Sequence, residues 1–148
     1  TMGATNFMTT AKGKSLDDAF RVATDQARFE YGHGGYTGSI AEKETVMEVR
    51  PPMRVPPGTR KTTYLHAVRL AAEWADLRQD TAEDLKGSRP RYIKMRKRIA
   101  KEVDKFNAKG FDMYYMCRMT DHATKWEPCC GMRIGRSNEY VFWGIASE

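Results

Sequence analysis

Residues 129–145 read Cys-Cys-Gly-Met-Arg-Ile-Gly-Arg-Ser-Asn-Glu-Tyr-Val-Phe-Trp-Gly-Ile, and this stretch decides the fold class. Cys129 to Ile134 and Glu139 to Ile145 are two apolar segments on either side of Gly135-Arg136-Ser137-Asn138, the signature of a β-hairpin. Val141, Trp143 and Ile145 alternate along the second segment as one face of a sheet does. Trp126, Phe142 and Trp143 are read as core aromatics, with stacking on bases as the alternative use of such rings.

Working back toward the N-terminus, Thr5 to Thr10 is short, rich in Thr and Phe, and reads as an edge strand. Ser15 then opens a helix. Ser15 with Asp18 forms a capping box in which Asp replaces Glu, and Leu16, Phe20, Ala23 and Ala27 recur at helical spacing up to Tyr31, before Gly32 as C-terminal cap. Tyr36 to Val49 supplies Thr, Ile and Val for a strand or strand pair.

The middle of the chain differs. Pro51, Pro52, Pro56 and Pro57 stiffen residues 50–58 into a spacer that is neither helix nor central strand. Beyond it, Thr62 to about Leu85 reads as a helix with Tyr64, Val68, Ala71 and Ala75 on one line and Leu70, Trp74 and Leu77 beside it. Gly87 and Pro90 interrupt the pattern, and Arg91 to Asn107 forms the next helix, closed by Lys109-Gly110. The helix with Trp74 is read as core and the helix with Lys94 as periphery. Phe111 to Met119 is rich in aromatics and Met. The expectation is an α+β fold: a mostly antiparallel sheet packed against helices, in a single domain over 1–148, with 50–110 as a helical insertion.

Charge follows the same division. The 148 residues carry a net charge of +6, yet Arg50 to Lys109 holds 16 Lys and Arg against 7 Asp and Glu, so the remainder is slightly acidic. Arg91, Lys94, Arg98, Lys101 and Lys105 follow at spacings of three and four, which places all five on one helix face. Tyr92, Met95, Ile99, Val103 and Phe106 repeat the rhythm one residue later and are expected to anchor the helix. Such a stripe suits phosphates, acidic protein surfaces or plain solvent. The expected partner is nucleic acid or an acidic host protein.

A second candidate is the glycine-rich loop His33-Gly34-Gly35-Tyr36-Thr37, whose backbone permits close approach of a small ligand or nucleotide. It follows a helix instead of preceding one, which sets it at the negative end of the helix dipole and against a phosphate cradle. A tight helix-to-strand turn is the other reading of the same glycines. Cys117, His122, Cys129 and Cys130 invite a metal reading, but adjacent cysteines on a strand point to opposite faces, and no metal, cofactor or catalytic residue is expected. Three cysteines indicate reduced thiols, no apolar run approaches a membrane span, and residues 1–12 lack a secretory pattern, so the expected location is cytoplasmic.

Tyr31-Gly32-His33-Gly34-Gly35-Tyr36-Thr37-Gly38-Ser39-Ile40-Ala41-Glu42-Lys43, Lys125-Trp126-Glu127-Pro128-Cys129-Cys130 and Phe142-Trp143-Gly144-Ile145-Ala146-Ser147 together resemble small uncharacterised proteins of bacteriophages and other mobile elements. The resemblance covers the two ends of the chain and leaves the basic middle unmatched. It implies an accessory role during infection, directed at a host system such as a defence, inside the host cytoplasm.

Overall fold

A computed structural model describes residues 4–32, 37–50, 55–79 and 89–147. Among these the fold is α+β, with four α-helices and a four-stranded mixed sheet. The chain divides into two compact units, Thr1–Pro51 with Met119–Glu148, and Pro52–Arg118.

The first unit is built around the hairpin. β1 (Ala4–Lys12), β2 (Val46–Glu48), β3 (Cys129–Arg133) and β4 (Glu139–Ser147) lie in the order β1-β4-β3-β2. β4 pairs antiparallel with β3 and, over all nine residues from Ala4 opposite Ser147 to Lys12 opposite Glu139, with β1; only the short β2 runs parallel to its neighbour β3. Gly135, at φ 59°, makes the hairpin turn, and Arg133 ties it by donating to the carbonyls of Ser137 (2.6 Å) and Arg136 (2.8 Å).

α1 (Leu16–Tyr31) starts at Ser15, whose Oγ accepts from Asp18 N at 3.1 Å. Asp18 reaches back one residue further than in a standard capping box, to Lys14 N at 2.9 Å. Its Ala19, Phe20, Ala23 and Ala27 are buried with Ala11, Cys129, Tyr140 and Phe142, and the Phe20 and Phe142 rings meet at 5.8 Å. Val141 and Trp143, on the alternate positions, are equally buried, and Trp143 Nε1 donates to Thr120 Oγ1 at 2.9 Å. β4 is apolar on both faces because both are covered.

The expected strand over Tyr36–Val49 shrinks to β2. Ser39 Oγ accepts from Ala41 N at 3.2 Å and starts a 3-10 turn over Ile40–Glu42, so the chain coils where its β-branched residues suggested extension. Lys43 then turns inward, leaving only Val46–Glu48 free to pair.

In the second unit α2 (Lys61–Gln79) and α3 (Arg89–Ala108) pack on one another, and α4 (Met113–Asp121) begins there and ends in the first unit. The expected extension of α2 to Leu85, with Gly87, lies outside the described residues. Tyr64, Val68, Ala71 and Ala75 are buried in line, as the spacing predicts, while Trp74 is half-buried and Ile99 and Val103 are fully buried. Core and periphery therefore do not separate between the two helices; each contributes one face. Gly110, at φ 97°, ends α3, with Phe111 N bonded to Phe106 O at 3.1 Å. The unit runs past Gly110 because Phe111 sits edge-on to both Tyr64 (5.3 Å) and Phe106 (5.6 Å). Asp112 Oδ1 accepts from Tyr115 N at 3.1 Å and sets the aromatic, Met-rich stretch as a helix.

Candidate functional site

α3 is a 20-residue helix, and its buried arc is narrow. Ile99 and Val103 lie inside, Tyr92 and Phe106 are half-buried, and Met95, expected among the anchors, is exposed together with Ile93. Arg91, Lys94, Arg98, Lys101 and Lys105 are all exposed. At 1.5 Å per residue the row from Arg91 to Lys105 is about 21 Å long, with a cation every ~5 Å. Lys97, absent from the expected set, is exposed too and sits about 40° from Lys101 around the axis, which widens the row.

The five are not equivalent. Arg98 Nη2 is 2.7 Å from Glu73 Oε1 on α2, and its Nη1 is 3.6 Å from Glu102 Oε2. The Glu73 carboxylate holds the Arg98 guanidinium charged and turned toward α2. Among the described residues no ion pair engages Arg91, Lys94, Lys101 or Lys105.

Arg98 marks one end of a groove of about 320 Å³ between α2 and α3. Leu70 and Phe106 floor it; Arg69 and His66 line it from α2, Lys105 and Lys109 from the α3 side, with Glu73 and Glu102 at the Arg98 end. Lys109 Nζ lies 5.3 Å from the Phe106 ring centroid. Three permanent cations and two carboxylates line this groove, and both carboxylates contact Arg98 beside it. The positive field left over belongs to Arg69, Lys105 and Lys109. His66, Arg69 and Glu73 were legible as one polar line on α2, at spacings of three and four, had the helix been read for its polar face as well as its apolar one.

His33, Gly34, Gly35 and Tyr36 of the glycine-rich loop lie outside the described residues. Thr37 is engaged within the protein, its Oγ1 2.8 Å from Ser39 Oγ and donating to Glu42 Oε2 at 2.9 Å. Two flanking glycines have backbone roles: Gly32 caps α1 at φ 86°, and Gly38, at φ 69°, donates to Ser147 O at 2.7 Å.

Cys129 and Cys130 point to opposite faces of β3, toward Thr45 O (3.9 Å) and Met119 O (3.4 Å). Burial pushes both thiols up to about 12, so they stay protonated at neutral pH and are poor nucleophiles. No group of three His, Cys, Asp or Glu among the described residues is arranged to hold a metal ion. No described helix is long and apolar enough to cross a membrane. Of the three C-terminal aromatics, Phe142 and Trp143 are core, whereas Trp126 is 71% exposed with Lys125 Nζ 5.0 Å from its ring centroid. Set against known protein families, curated proteins and solved structures, the chain has no match.

Proposed function

We propose that the protein is a noncatalytic accessory protein of phage type that binds a polyanion, nucleic acid before acidic protein, along the cationic face of α3. One observation carries the reading: four exposed cations without ion-pair partners among the described residues, Arg91, Lys94, Lys101 and Lys105, form a row that runs into a groove lined by Arg69 and Lys109. Evenly spaced cations on a rigid helix suit a ligand with evenly spaced charges, and each phosphate neutralised releases counterions, which supplies affinity without demanding shape complementarity. An acidic protein needs a matched surface instead.

The test measures binding of labelled single-stranded DNA, duplex DNA and RNA across a salt series, beside the variant Lys94→Glu/Lys101→Glu/Lys105→Glu. Arg98 is left in place because it joins α2 to α3. The expected result is a log–log salt slope of at least about −3 for the native chain, reduced by about 3 in the variant. Unchanged binding in the variant removes this face as the contact. Absence of nucleic-acid binding at low salt, with retention on an acidic polypeptide, transfers the site to acidic proteins.

A further inference from the structure

The groove between α2 and α3 carries charge of both signs, sorted along its length. Glu73 and Glu102 line the end at Arg98, Lys109 lines the far end, and Leu70 and Phe106 floor the space between. Arg69 and Lys105 each stand one turn from a carboxylate, on the Lys109 side. At 1.5 Å per residue, Glu102 and Lys109 are about 10 Å apart along α3 and the turn that ends it. That is the reach of one nucleotide from its phosphate to the far edge of its base. A site for phosphate alone has no use for the carboxylates, since each repels the ligand.

Arg98 changes that balance. Its Nη2 lies 2.7 Å from Glu73 Oε1 and engages that carboxylate, while its Nη1 lies 3.6 Å from Glu102 Oε2, close enough to offset charge but too long for a hydrogen bond. Among the described residues Glu102 accepts no side-chain hydrogen bond, so a half-exposed carboxylate in the groove keeps its lone pairs for N–H donors. The ligand that fits carries negative charge at one end, N–H donors at the other and an apolar body between. A volume of about 320 Å³ is that of a small-ligand site, and a duplex, with its bases paired and stacked, can place none of them there.

We infer that the groove holds one unpaired nucleotide of a single strand, its phosphate at Arg69, Lys105 and Lys109, its base over Phe106 and the N–H edge of that base on Glu102. This site rests on the polyanion reading above and narrows it, with Arg91, Lys94 and Lys101 left to the neighbouring phosphates. Lys109 Nζ stands 5.3 Å from the centroid of the Phe106 ring, and Lys109 is exposed, so this face of the ring is open to the groove. A base takes the place of the ammonium, which swings on its four-carbon stem to the phosphate. Guanine suits the carboxylate end. It alone sets two N–H donors, N1–H and N2–H, side by side on its Watson–Crick edge, where one carboxylate accepts both. Thymine offers one N–H between two carbonyls, which a carboxylate repels.

The test measures dissociation constants at one salt concentration for strands of equal length and charge: thymine with a central guanine, thymine throughout, and abasic spacers throughout. The duplex of the first strand serves as a control for the cationic row alone. The proteins are the native chain, Phe106→Leu and Glu102→Gln, with circular dichroism melts to verify folding; Glu102 is a surface position and keeps the test open if Phe106→Leu unfolds. The native chain is expected to bind the guanine strand at least about tenfold more tightly than the abasic one, a factor of ten being ~1.4 kcal/mol. Phe106→Leu should lose most of that factor and leave the duplex unchanged. Charge alone makes Glu102→Gln bind every strand more tightly, so a fall in its preference for guanine over thymine reads hydrogen bonding and not charge. Equal affinity of the native chain for all three single strands, with the salt slope intact, overturns the inference and leaves the row standing. A Glu102→Gln variant that gains equally on every strand overturns it too, and absence of binding to any strand or to the duplex overturns both this site and the polyanion reading.

Discussion

Lys43 Nζ donates to the carbonyl of Glu127 across 2.7 Å, and its two remaining protons go to Thr124 O (2.9 Å) and Lys125 O (3.1 Å). Lys43 is 3% exposed and spends all three ammonium donors on one loop, the segment that leads into β3 and carries Trp126. Burial pulls its pKa below the ordinary lysine value, so the carbonyl dipoles must offset part of the desolvation. Lys43→Met is expected to destabilise the chain by about 2–4 kcal/mol, because three carbonyls lose their partner at once. Lys43→Arg should not rescue it, since a planar guanidinium cannot aim three donors at one turn of chain. Urea denaturation of the three proteins checks both statements.

Alkaline pH tests the two thiols behind that loop. Cys129 and Cys130 have folded pKa values of about 12 against a reference of 9.0, so between those values the folded state holds protons that the unfolded state has lost, and stability falls as pH rises. Lys43 works in the opposite sense: its lowered folded pKa means the unfolded state binds the extra proton up to 10.5, and stability rises with pH over that window. The expected loss is about 2 kcal/mol per thiol by pH ~10.5, and Cys130→Ala should abolish roughly half of the slope. Denaturation midpoints from pH ~7 to ~10.5 give the answer.

Elements whose periodicity agrees with local chemistry were legible in the sequence. Ser15, Gly32 and the Leu16–Phe20–Ala23–Ala27 line set α1, and the 135–138 turn set the hairpin, because caps and turns act within a few residues. Residues 36–49 misled, since the bonds that shape them are local at Ser39 but reach more than eighty residues away at Lys43. No periodicity encodes a contact of that span. The cationic row on α3 was visible for the same reason as α1, while the pairing of Arg98 with Glu73 and the groove with Arg69 need the two helices brought together. The exposure of Trp126 was equally hidden, for a Trp beside a strand reads as core until a loop holds it outward.

Gly131 tests the seam between α1 and the sheet. A Cβ there would stand 2.8 Å from Leu16 Cδ1, 2.8 Å from Val46 Cγ2 and 2.9 Å from Phe142 Cδ1, side chains of three different elements. Gly131→Ala is expected to cost about 1–3 kcal/mol as overpacking. At Gly144 the same methyl meets Cys129 Cβ at 3.3 Å and Ala123 Cβ at 3.4 Å, so Gly144→Ala should be the milder change. Thermal melts of the pair rank them, and the reverse order would show that α1 yields more easily than β4.

Arg98 separates structural from ligand-binding charge on α3. Its pair with Glu73 joins two helices, but both side chains are about half exposed (46% and 47%), so Arg98→Ala should cost under about 1 kcal/mol of stability. Lys94 has no ion pair among the described residues, and Lys94→Ala should leave stability within about 0.5 kcal/mol. Polyanion binding is expected to separate the two although each substitution removes a single cation. Removing Lys94 deletes one positive charge, whereas removing Arg98 also uncovers Glu73 and Glu102 beside Lys105, so Arg98→Ala should weaken binding more at low salt. Adding Glu73→Gln to Arg98→Ala removes one uncovered carboxylate and should recover part of the affinity without restoring the lost stability. Equal affinity for Arg98→Ala and Lys94→Ala, with no recovery on Glu73→Gln, would mean that the ligand does not feel the α2–α3 groove.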